Sequence, residues 1–370
     1  HYRWRNDDGG ESVIPLDTGS GADGSVTIAA LENINTAVLG SNRSTNPDGI
    51  LTTVTANPTG TSISVTDTTG FAAGDEILLI NLQGASGDVA DVGNYEILTV
   101  DSVPNGTTIN VTSAIAKSYD GTTFANQKIV VQRIPQWTTV TINSGGTLTA
   151  NAWDGTSGGV IIFKATGSVT VNTGGEIDAT EMGYQGGAGG ANDGGSNGES
   201  YDGQNGKGGA DDSRGTLGGG SGENYPTQDN TTGTRGGGGG GGETGSIGQG
   251  GAGGGGGGYG GAGGGGGGGT DSSSYISGLG GAGGTTGDSA GGGGHGVNSG
   301  TSGDGGDAGN PGNDGGASVA VGGGLAGSGT TTGQGGHAED ASDSPGGGGG
   351  GGGNYGIADL TQIFLGSGGG

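Results

Sequence analysis

Histidine is the residue type in this chain best suited to metal or acid–base chemistry, and there are three of them, His1, His295 and His337. A free N-terminal histidine can chelate copper through its amine and its imidazole ring. Such a site needs a second histidine held nearby on a rigid scaffold, and the other two lie in glycine-rich sequence. We therefore interpret His1 as an ordinary processed terminus and predict no metal centre.

The carboxylates are numerous but do not form a recognisable catalytic pair. Asp7–Asp8 and Asp211–Asp212 are adjacent in sequence, and we expect both pairs to be solvated. Glycoside hydrolysis would need a buried acid with a raised pKa in an aromatic-lined cleft. The three tryptophans and nine tyrosines are spread along the whole chain. We predict that the protein is not an enzyme.

Three aspartates of the glycine-rich half fall on a strict three-residue repeat, in which glycine occupies 303, 306, 309, 312 and 315. In a helix with three residues per turn, Asp304 and Asp307 would lie on one ridge about 9 Å apart, too far to share a calcium ion. Asp314 belongs to the same segment. No cofactor is predicted. Structural calcium is the alternative, because loops that fold back could bring such aspartates together. The glycine runs are not phosphate loops, because no G-K-[ST] motif accompanies them.

The charge balance excludes several classes of partner. The chain has 36 acidic and 10 basic residues, a formal net charge of −26 and no cysteine. Nucleic acid and anionic membrane both require a basic face, so neither is an expected partner. No apolar run approaches the roughly 20 residues of a membrane span, so we expect no membrane insertion. The chain begins at His1 and not at methionine, so either an export signal was removed or the sequence is a cut fragment. Low lysine, abundant Thr, Ser, Asn and Gly, and high acidity favour the first explanation, and we expect a secreted protein.

The pattern of the first 135 residues predicts extended segments and short strands. Residues 1–48 alternate polar and apolar positions, although the run after Val26 also fits a helical period and stays undecided. Within 49–135, β-branched runs separated by turns predict a small antiparallel barrel or sandwich.

A repeat follows within residues 136–183. The segment VTINSGGTLTAN, 140–151, recurs as VTVNTGGEIDAT, 169–180, at an offset of 29 residues. The alternating apolar positions predict two rungs of a β-solenoid or two equivalent hairpins of a sandwich. Two rungs cannot bury their own open ends, so we expect another part of the chain to cover the far one.

Glycine dominates the rest of the chain. Of 107 glycines, 78 lie in residues 186–353 and only 24 in residues 1–185. A flexible linker is the ordinary interpretation of such sequence. The length of the tract, its regular polar inserts and the patterned segment at 354–370 favour a bundle of polyglycine-II helices closed by a final strand. Hydrogen bonds between neighbouring backbones would then offset the entropy lost by ordering glycine.

Residues 186–370 resemble, in runs such as GGAGGGGGGYGGAGG, the polyglycine-II bundle domains of phage tail-tip adhesins. They resemble more loosely the glycine-rich domain of anaplastic-lymphoma-kinase-type receptors. The phrases YRWRNDDGG and GGVIIFKATGSVTVNTGGEIDATEMGYQGG are similar to parts of large secreted bacterial surface proteins. The resemblance implies a secreted, bacterial-type surface protein, and it assigns no catalytic residue.

The sequence therefore predicts an all-β and polyglycine-II structural protein, a subunit of an extracellular filament or surface layer whose partner is further copies of itself. In this hypothesis residues 1–48 pair with the open β edge of a neighbouring subunit. The assembly residues would be Tyr2, Trp4, Val13, Ile14, Val26 and Ile28.

An adhesin is the alternative, with loops 191–202, 221–235, 270–279 and 328–345 binding a surface receptor or a glycan. Its candidate contact residues are Tyr201, Tyr225 and Tyr275. An ice-binding protein is a third hypothesis, which would need threonines repeated in register.

Overall fold

The computed structural model describes residues 17–85, 87–180, 182–184, 201, 203, 258–259, 354–355 and 361–365. These residues are all-β, as predicted: they contain strands and one short 3-10 turn at Phe124–Asn126, and no α-helix. No helix in this part of the chain is long and apolar enough to cross a membrane. In chain order the strands are β1 (Gly24–Ile28), β2 (Leu31–Asn33), β3 (Leu51–Thr53), β4 (Ser62–Ser64), β5 (Glu76–Gln83), β6 (Tyr95–Asn105), β7 (Thr108–Val111), β8 (Lys128–Arg133), β9 (Gln136–Ile142), β10 (Thr147–Thr149), β11 (Lys164–Ala165), β12 (Val169–Val171), β13 (Glu176–Ile177), β14 (Gly258–Tyr259) and β15 (Asn354–Tyr355).

The chain divides into two compact units. The first, which we call the stack, comprises residues 1–50, 133–149 and 161–178. The second, which we call the curled sheet, comprises residues 51–132, 150–160 and 179–370.

The stack is built from three layers of parallel strands. Each layer is a strand, a corner and a second strand: β1 and β2 form the first layer, β9 and β10 the second, and β12 and β13 the third. Strand β9 lies between β1 and β12, and β10 lies between β2 and β13. All of these pairs are parallel, and β11 adds a further parallel pair to the start of β9.

The repeat identified in the sequence forms the second and third layers. Val140 pairs with Val169 and Leu148 with Ile177, both at the 29-residue offset. The parallel direction differs from that of two hairpins, whose strands would be antiparallel. A solenoid in which each coil closes on itself stays a prediction.

The segment whose period was undecided forms strands β1 and β2. Val26 and Ile28 pair in register with Val140 and Ile142, so this segment is a third copy of the layer. Its corner is shorter: four positions separate Ile28 from Glu32, where six separate Ile142 from Leu148.

The Gly-Gly pair of the repeat serves two physical needs. Gly145 and Gly174 have φ of +80° and +82°, a backbone conformation that side chains disfavour. Gly146 and Gly175 instead lie against the layer below: a Cβ on Gly146 would be 2.4 Å from the carbonyl oxygen of Ile28, and one on Gly175 would be 2.6 Å from that of Asn143. The first glycine of each pair makes the turn, and the second lets the layers approach.

The curled sheet contains six strands in the order β3-β8-β5-β6-β7-β4. The first and last strands of this order meet at a bridge between Val54 and Val65, so the sheet curls toward itself. Strand β5 supplies much of the core, because seven of its eight residues are buried. This sheet lies inside the range 49–135 for which the sequence predicts a small antiparallel domain.

Aromatic side chains from distant parts of the sequence pack in the same unit. The rings of Trp153 and Tyr184 meet edge to face at 5.7 Å, and the Tyr184 hydroxyl donates to the carbonyl oxygen of Leu82. Strands β14 and β15 pair in parallel. Most of residues 186–353 lie outside the described residues, so the polyglycine-II bundle and its closing strand at 354–370 stay predictions.

Candidate interaction surface on the stack

The apolar core of the stack consists of columns that run through its layers. One column contains Val26, Val140 and Val169, and the next contains Ile28, Ile142 and Val171. In the first and second layers these side chains are at most 2% exposed. Burying an aliphatic side chain of this size contributes about 1.5–3 kcal/mol, so the columns account for much of the stability of the stack.

A loop at residues 35–49, which we call the cap loop, closes the first layer. Ser41 forms hydrogen bonds with both backbone groups of Ser25. The Ser41 amide donates to the Ser25 carbonyl at 2.9 Å, and the Ser41 hydroxyl accepts from the Ser25 amide at 3.0 Å. Gly49 donates its amide to the Ile34 carbonyl at 2.8 Å. Val26 and Ile28, which head the apolar columns in the first layer, are therefore buried, whereas Leu31 at the start of β2 is exposed.

A buried ion pair ties the start of β1 to the end of β8. Arg133 donates two hydrogen bonds to the carboxylate of Asp23, at 2.8 and 2.9 Å, and a third to the carbonyl of Asp48 at 3.0 Å. Asp23 also accepts from the backbone amide of Gln136 at 2.7 Å. Both charged residues are 4% exposed. These contacts, together with Arg43 at 3.8 Å from the same carboxylate, satisfy the buried charge of Asp23.

Asp48 fixes the cap loop from its other side. Its carboxylate accepts hydrogen bonds from the indole Nε1 of Trp137 at 2.9 Å and from the amide of Leu39 at 2.6 Å. The residue is fully buried, as is Trp137. The cap loop is thus held by an aspartate at its end and a tryptophan of the second layer.

The third layer is open, in contrast to the first. Val169 and Val171 are each 46% exposed and Ile177 is 42% exposed, whereas their second-layer partners Val140, Ile142 and Leu148 are completely buried. Within the described residues no strand pairs with the outer edge of β12 or β13. Among the described residues, the apolar columns of the stack are therefore closed at the first layer and open at the third.

Threonines form a row on the outward side of the stack. Thr27, Thr141 and Thr170 occupy equivalent positions in β1, β9 and β12. This is the in-register repetition that an ice-binding face would need, but it extends over only these three strands among the described residues. One short row is too small a surface to support that hypothesis.

The acidic loops of the curled sheet are satisfied by the chain itself. Asp88 accepts hydrogen bonds from the amides of Thr122 at 2.5 Å and Thr123 at 3.0 Å, and from the side chain of Asn126 at 3.0 Å. The bond from Thr122 is the main reason that the pKa of Asp88 lies below its ordinary value. The described residues contain no group of three or more side chains that could hold a metal ion. Asp304, Asp307 and Asp314 lie outside them.

The predicted assembly residues that the structure describes are Val26 and Ile28. Both are buried in β1 and pair with β9 of the same chain. Four others, Tyr2, Trp4, Val13 and Ile14, lie outside the described residues. Strand β1 is thus part of the chain's own stack, so an exchanged strand would have to come from residues 1–16.

Of the predicted contact tyrosines, only Tyr201 is described. It is 2% exposed, and its ring meets that of Phe364 edge to face at 6.3 Å. A side chain buried to this extent is not available to a partner. Tyr225 and Tyr275 lie outside the described residues, as do His1, His295 and His337.

Sequence patterns alone do not distinguish the two ends of the stack. Alternation predicts core positions for Val169 and Ile177, because their pattern matches that of Val140 and Leu148. The closing role of the cap loop depends on Asp23, Asp48 and Arg133, which are far apart in sequence. A comparison of SVTI at 25–28, TVTI at 139–142 and SVTV at 168–171 would have revealed the first layer.

Comparison with known proteins identifies no family. No family model matches the chain, and no curated protein matches it. Similar solved structures include the tailspike protein gp49 from Pseudomonas phage LKA1, at 16% identity and a TM-score of 0.19 over 40% of this chain and 24% of that one. The tailspike gp61 of Pseudomonas phage phi297 has 12% identity and a TM-score of 0.19, over 40% of this chain and 23% of that one.

A third tailspike, Gp54 of Acinetobacter baumannii bacteriophage AP22, was solved in complex with an A. baumannii capsular saccharide. It is 14% identical, with a TM-score of 0.21 over 42% of this chain and 27% of that one. The chain thus spans about a quarter of the length of these tailspikes. Likeness of this size does not establish a shared fold or a shared function.

Proposed function

We propose that this protein is an extracellular adhesin, in which the stack serves as a rigid stem and the glycine-rich half binds a surface receptor or a glycan. The observation that carries the proposal is the closed end of the stack. A filament that grows by stacking needs complementary surfaces at both ends of each subunit. The columns offer no such surface at the first layer, because Val26 and Ile28 are buried and Ser41 of the cap loop bonds the backbone of β1 at Ser25. A stem whose columns are open at one end only is better suited to a terminal, ligand-binding protein than to a repeating filament subunit.

The charge of the chain limits the ligands that suit this role. With a net charge of −26, the protein would repel phosphorylated and other anionic surfaces. Neutral saccharides and basic protein surfaces remain. The loops rich in Ser, Thr, Asn and Tyr offer hydrogen bonds and ring faces, the groups that interfaces of this kind use.

A binding experiment with the full chain tests the adhesin. The purified protein is applied to a glycan array and to bacterial cells, beside variants in which residues 221–235 or 270–279 are replaced by Gly-Ser sequence of equal length. We expect binding by the native chain and its loss in at least one variant. A matched control replaces the exposed turn 104–107, which belongs to the curled sheet, and should bind normally. A native chain that binds neither array nor cells would overturn the proposal.

A filament subunit is the second candidate, and one observation favours it: the exposed edge of β12 and β13. Exposed edges pair readily with added strands. Negative-stain microscopy of concentrated protein would show fibres if residues 1–16 of one copy pair with this edge of the next. The deletion that tests this is of residues 1–16 and not 1–48, because β1 and β2 belong to the stack. Fibres that persist in the 1–16 deletion would exclude this strand exchange.

A further inference from the structure

We propose that the open third layer pairs with the third layer of a second copy, so that the protein forms a closed two-fold dimer. In this dimer β12 of one copy lies antiparallel to β12 of the other, with Thr170 opposite Thr170. The inference goes beyond the adhesin, since it concerns the stem and names a second copy of this chain as the partner.

The exposure of the third layer is the first argument. Val169, Val171 and Ile177 are 42–46% exposed at positions where the second layer is completely buried. They form the end faces of the apolar columns, so an apolar surface placed against them would continue a core that is already built. Three apolar side chains exposed together on one layer indicate a candidate interaction site, whereas a singly exposed side chain such as Leu31 is ordinary.

The backbone of the third layer is the second argument. Strand β12 bonds to β9 on its inner side, and the described residues place no strand on its outer side. An edge strand presents a row of amide and carbonyl groups that another strand can satisfy. A partner strand would extend the β1–β9–β12 ladder by one further step.

The sequence of β12 is the third argument, because it reads the same in both directions. Val169-Thr170-Val171 is symmetric about Thr170. When such a strand pairs with its own copy around a two-fold axis, Val169 lies opposite Val171 of the other copy, and every contact occurs twice. The same surface is thus complementary to itself without any change of conformation.

The closed end explains why assembly would stop at two copies. Val26 and Ile28, the first-layer counterparts of the exposed valines, are 2% and 0% exposed. Among the described residues the valine and isoleucine columns are therefore open at only one end of each stack, and an open column end can continue only into another open column end. An isologous contact of this kind closes on itself and does not form fibres.

Disulfide cross-linking tests the geometry directly, because the chain has no cysteine of its own. Residues that face each other in an antiparallel pair have Cα atoms about 4.5–5.5 Å apart, inside the range that a disulfide spans. We expect Thr170→Cys to form a covalent dimer under mild oxidation. Thr27→Cys is the matched control: it is an exposed threonine at the equivalent position of the first layer, and it should remain monomeric on a denaturing gel.

A measurement of mass in solution supplies the second readout. Sedimentation equilibrium of the native chain, at an ionic strength high enough to screen its net charge, should give a concentration-dependent dimer. Val171→Lys places a charge on the edge and should abolish the dimer. Leu31→Lys, at a first-layer residue that is 72% exposed, is the matched control and should leave the dimer intact.

Three results would overturn the inference. They are a native chain that is monomeric at every concentration, equal cross-linking of Thr27→Cys and Thr170→Cys, and a Val171→Lys variant that folds and still dimerises. If Val171→Lys does not fold, the cross-linking comparison decides alone. A dimer that binds no receptor or glycan would support this inference and overturn the adhesin proposal. A monomer that binds a receptor or a glycan would support the adhesin proposal and overturn this inference.

Discussion

Arg133 and Asp23 form a fork of two parallel hydrogen bonds across 110 residues of sequence, from Nη2 to Oδ1 at 2.8 Å and from Nη1 to Oδ2 at 2.9 Å. The aspartate immediately precedes β1, and the arginine ends β8. The same guanidinium also bonds the carbonyl of Asp48, at the end of the cap loop. One arginine therefore holds together the first layer and the loop that closes it.

Loss of this arginine should open the first layer. Arg133→Met removes both guanidinium hydrogen bonds from the buried Asp23 carboxylate and leaves Arg43, 3.8 Å away, as its nearby cation. Removing one partner of a buried ion pair typically costs about 3–5 kcal/mol, and Arg43 should keep the cost toward the lower end of that range. Hydrogen exchange should then accelerate in β1 and in the cap loop. The double variant Asp23→Leu/Arg133→Met removes both charges and should recover much of the protection. Unchanged exchange in Arg133→Met would show that the ion pair does not hold this end.

The glycine pair of the repeat offers a comparison of two physical effects. Gly145→Ala puts a side chain at φ of +80° with nothing within 4 Å, a strain of about 1–2 kcal/mol. Gly146→Ala puts a Cβ 2.4 Å from the Ile28 carbonyl, so the first and second layers would have to separate. We expect Gly146→Ala to lower the thermal midpoint of the stack clearly more than Gly145→Ala. Equal effects of the two substitutions would mean that close approach of the layers is not needed.

The sequence could predict the second and third layers because both carry the same apolar alternation and the same glycine pair. Alternation fixes which side chains face inward, and Val140 and Val169 obey it in the same way. The first layer was harder to identify. It lacks the glycine pair, its corner is two residues shorter, and residues 51–132 lie between it and the second layer in the sequence.

The two ends of the stack could not be predicted for a different reason. Val26 and Val169 have the same residue type and the same alternating context, yet one is 2% exposed and the other 46%. The difference arises from the cap loop, whose position depends on contacts such as that between Asp48 and Trp137, 89 residues apart. Periodicity reports on a residue's own strand and carries no information about what lies beyond the last layer.

Tyr201 provides a test that separates stability from binding. Because it is 2% exposed and packed against Phe364, Tyr201→Ala should cost the curled sheet about 3–5 kcal/mol. Tyr201→Phe keeps the ring and should cost much less, at most about 0.5–1.5 kcal/mol for the hydrogen bond of a hydroxyl. Neither variant should change ligand affinity per folded molecule, whereas Tyr225→Ala and Tyr275→Ala are the variants expected to do so. If Tyr201→Ala keeps its stability but loses ligand binding, Tyr201 would again be a candidate contact residue.

Asp88 should make the curled sheet sensitive to acid. Its folded-state pKa is lowered, chiefly by the hydrogen bond from the Thr122 amide, so its carboxylate stabilises the fold above the unfolded-state pKa of about 3.9. That contribution is lost as the pH falls through the lower, folded-state value. Asp88→Asn places an amide against backbone donors and should lower stability at neutral pH by about 1–3 kcal/mol. The difference from the native chain should shrink below pH of about 4, as the native carboxylate is itself protonated.

Hydrogen exchange of residues 118–127, corrected for the intrinsic rate at each pH, measures the stability difference between Asp88→Asn and the native chain. The exposed Asp101→Asn is the control for simple loss of charge. A constant difference between Asp88→Asn and the native chain across the acid range would show that the carboxylate does not act through its ionised form.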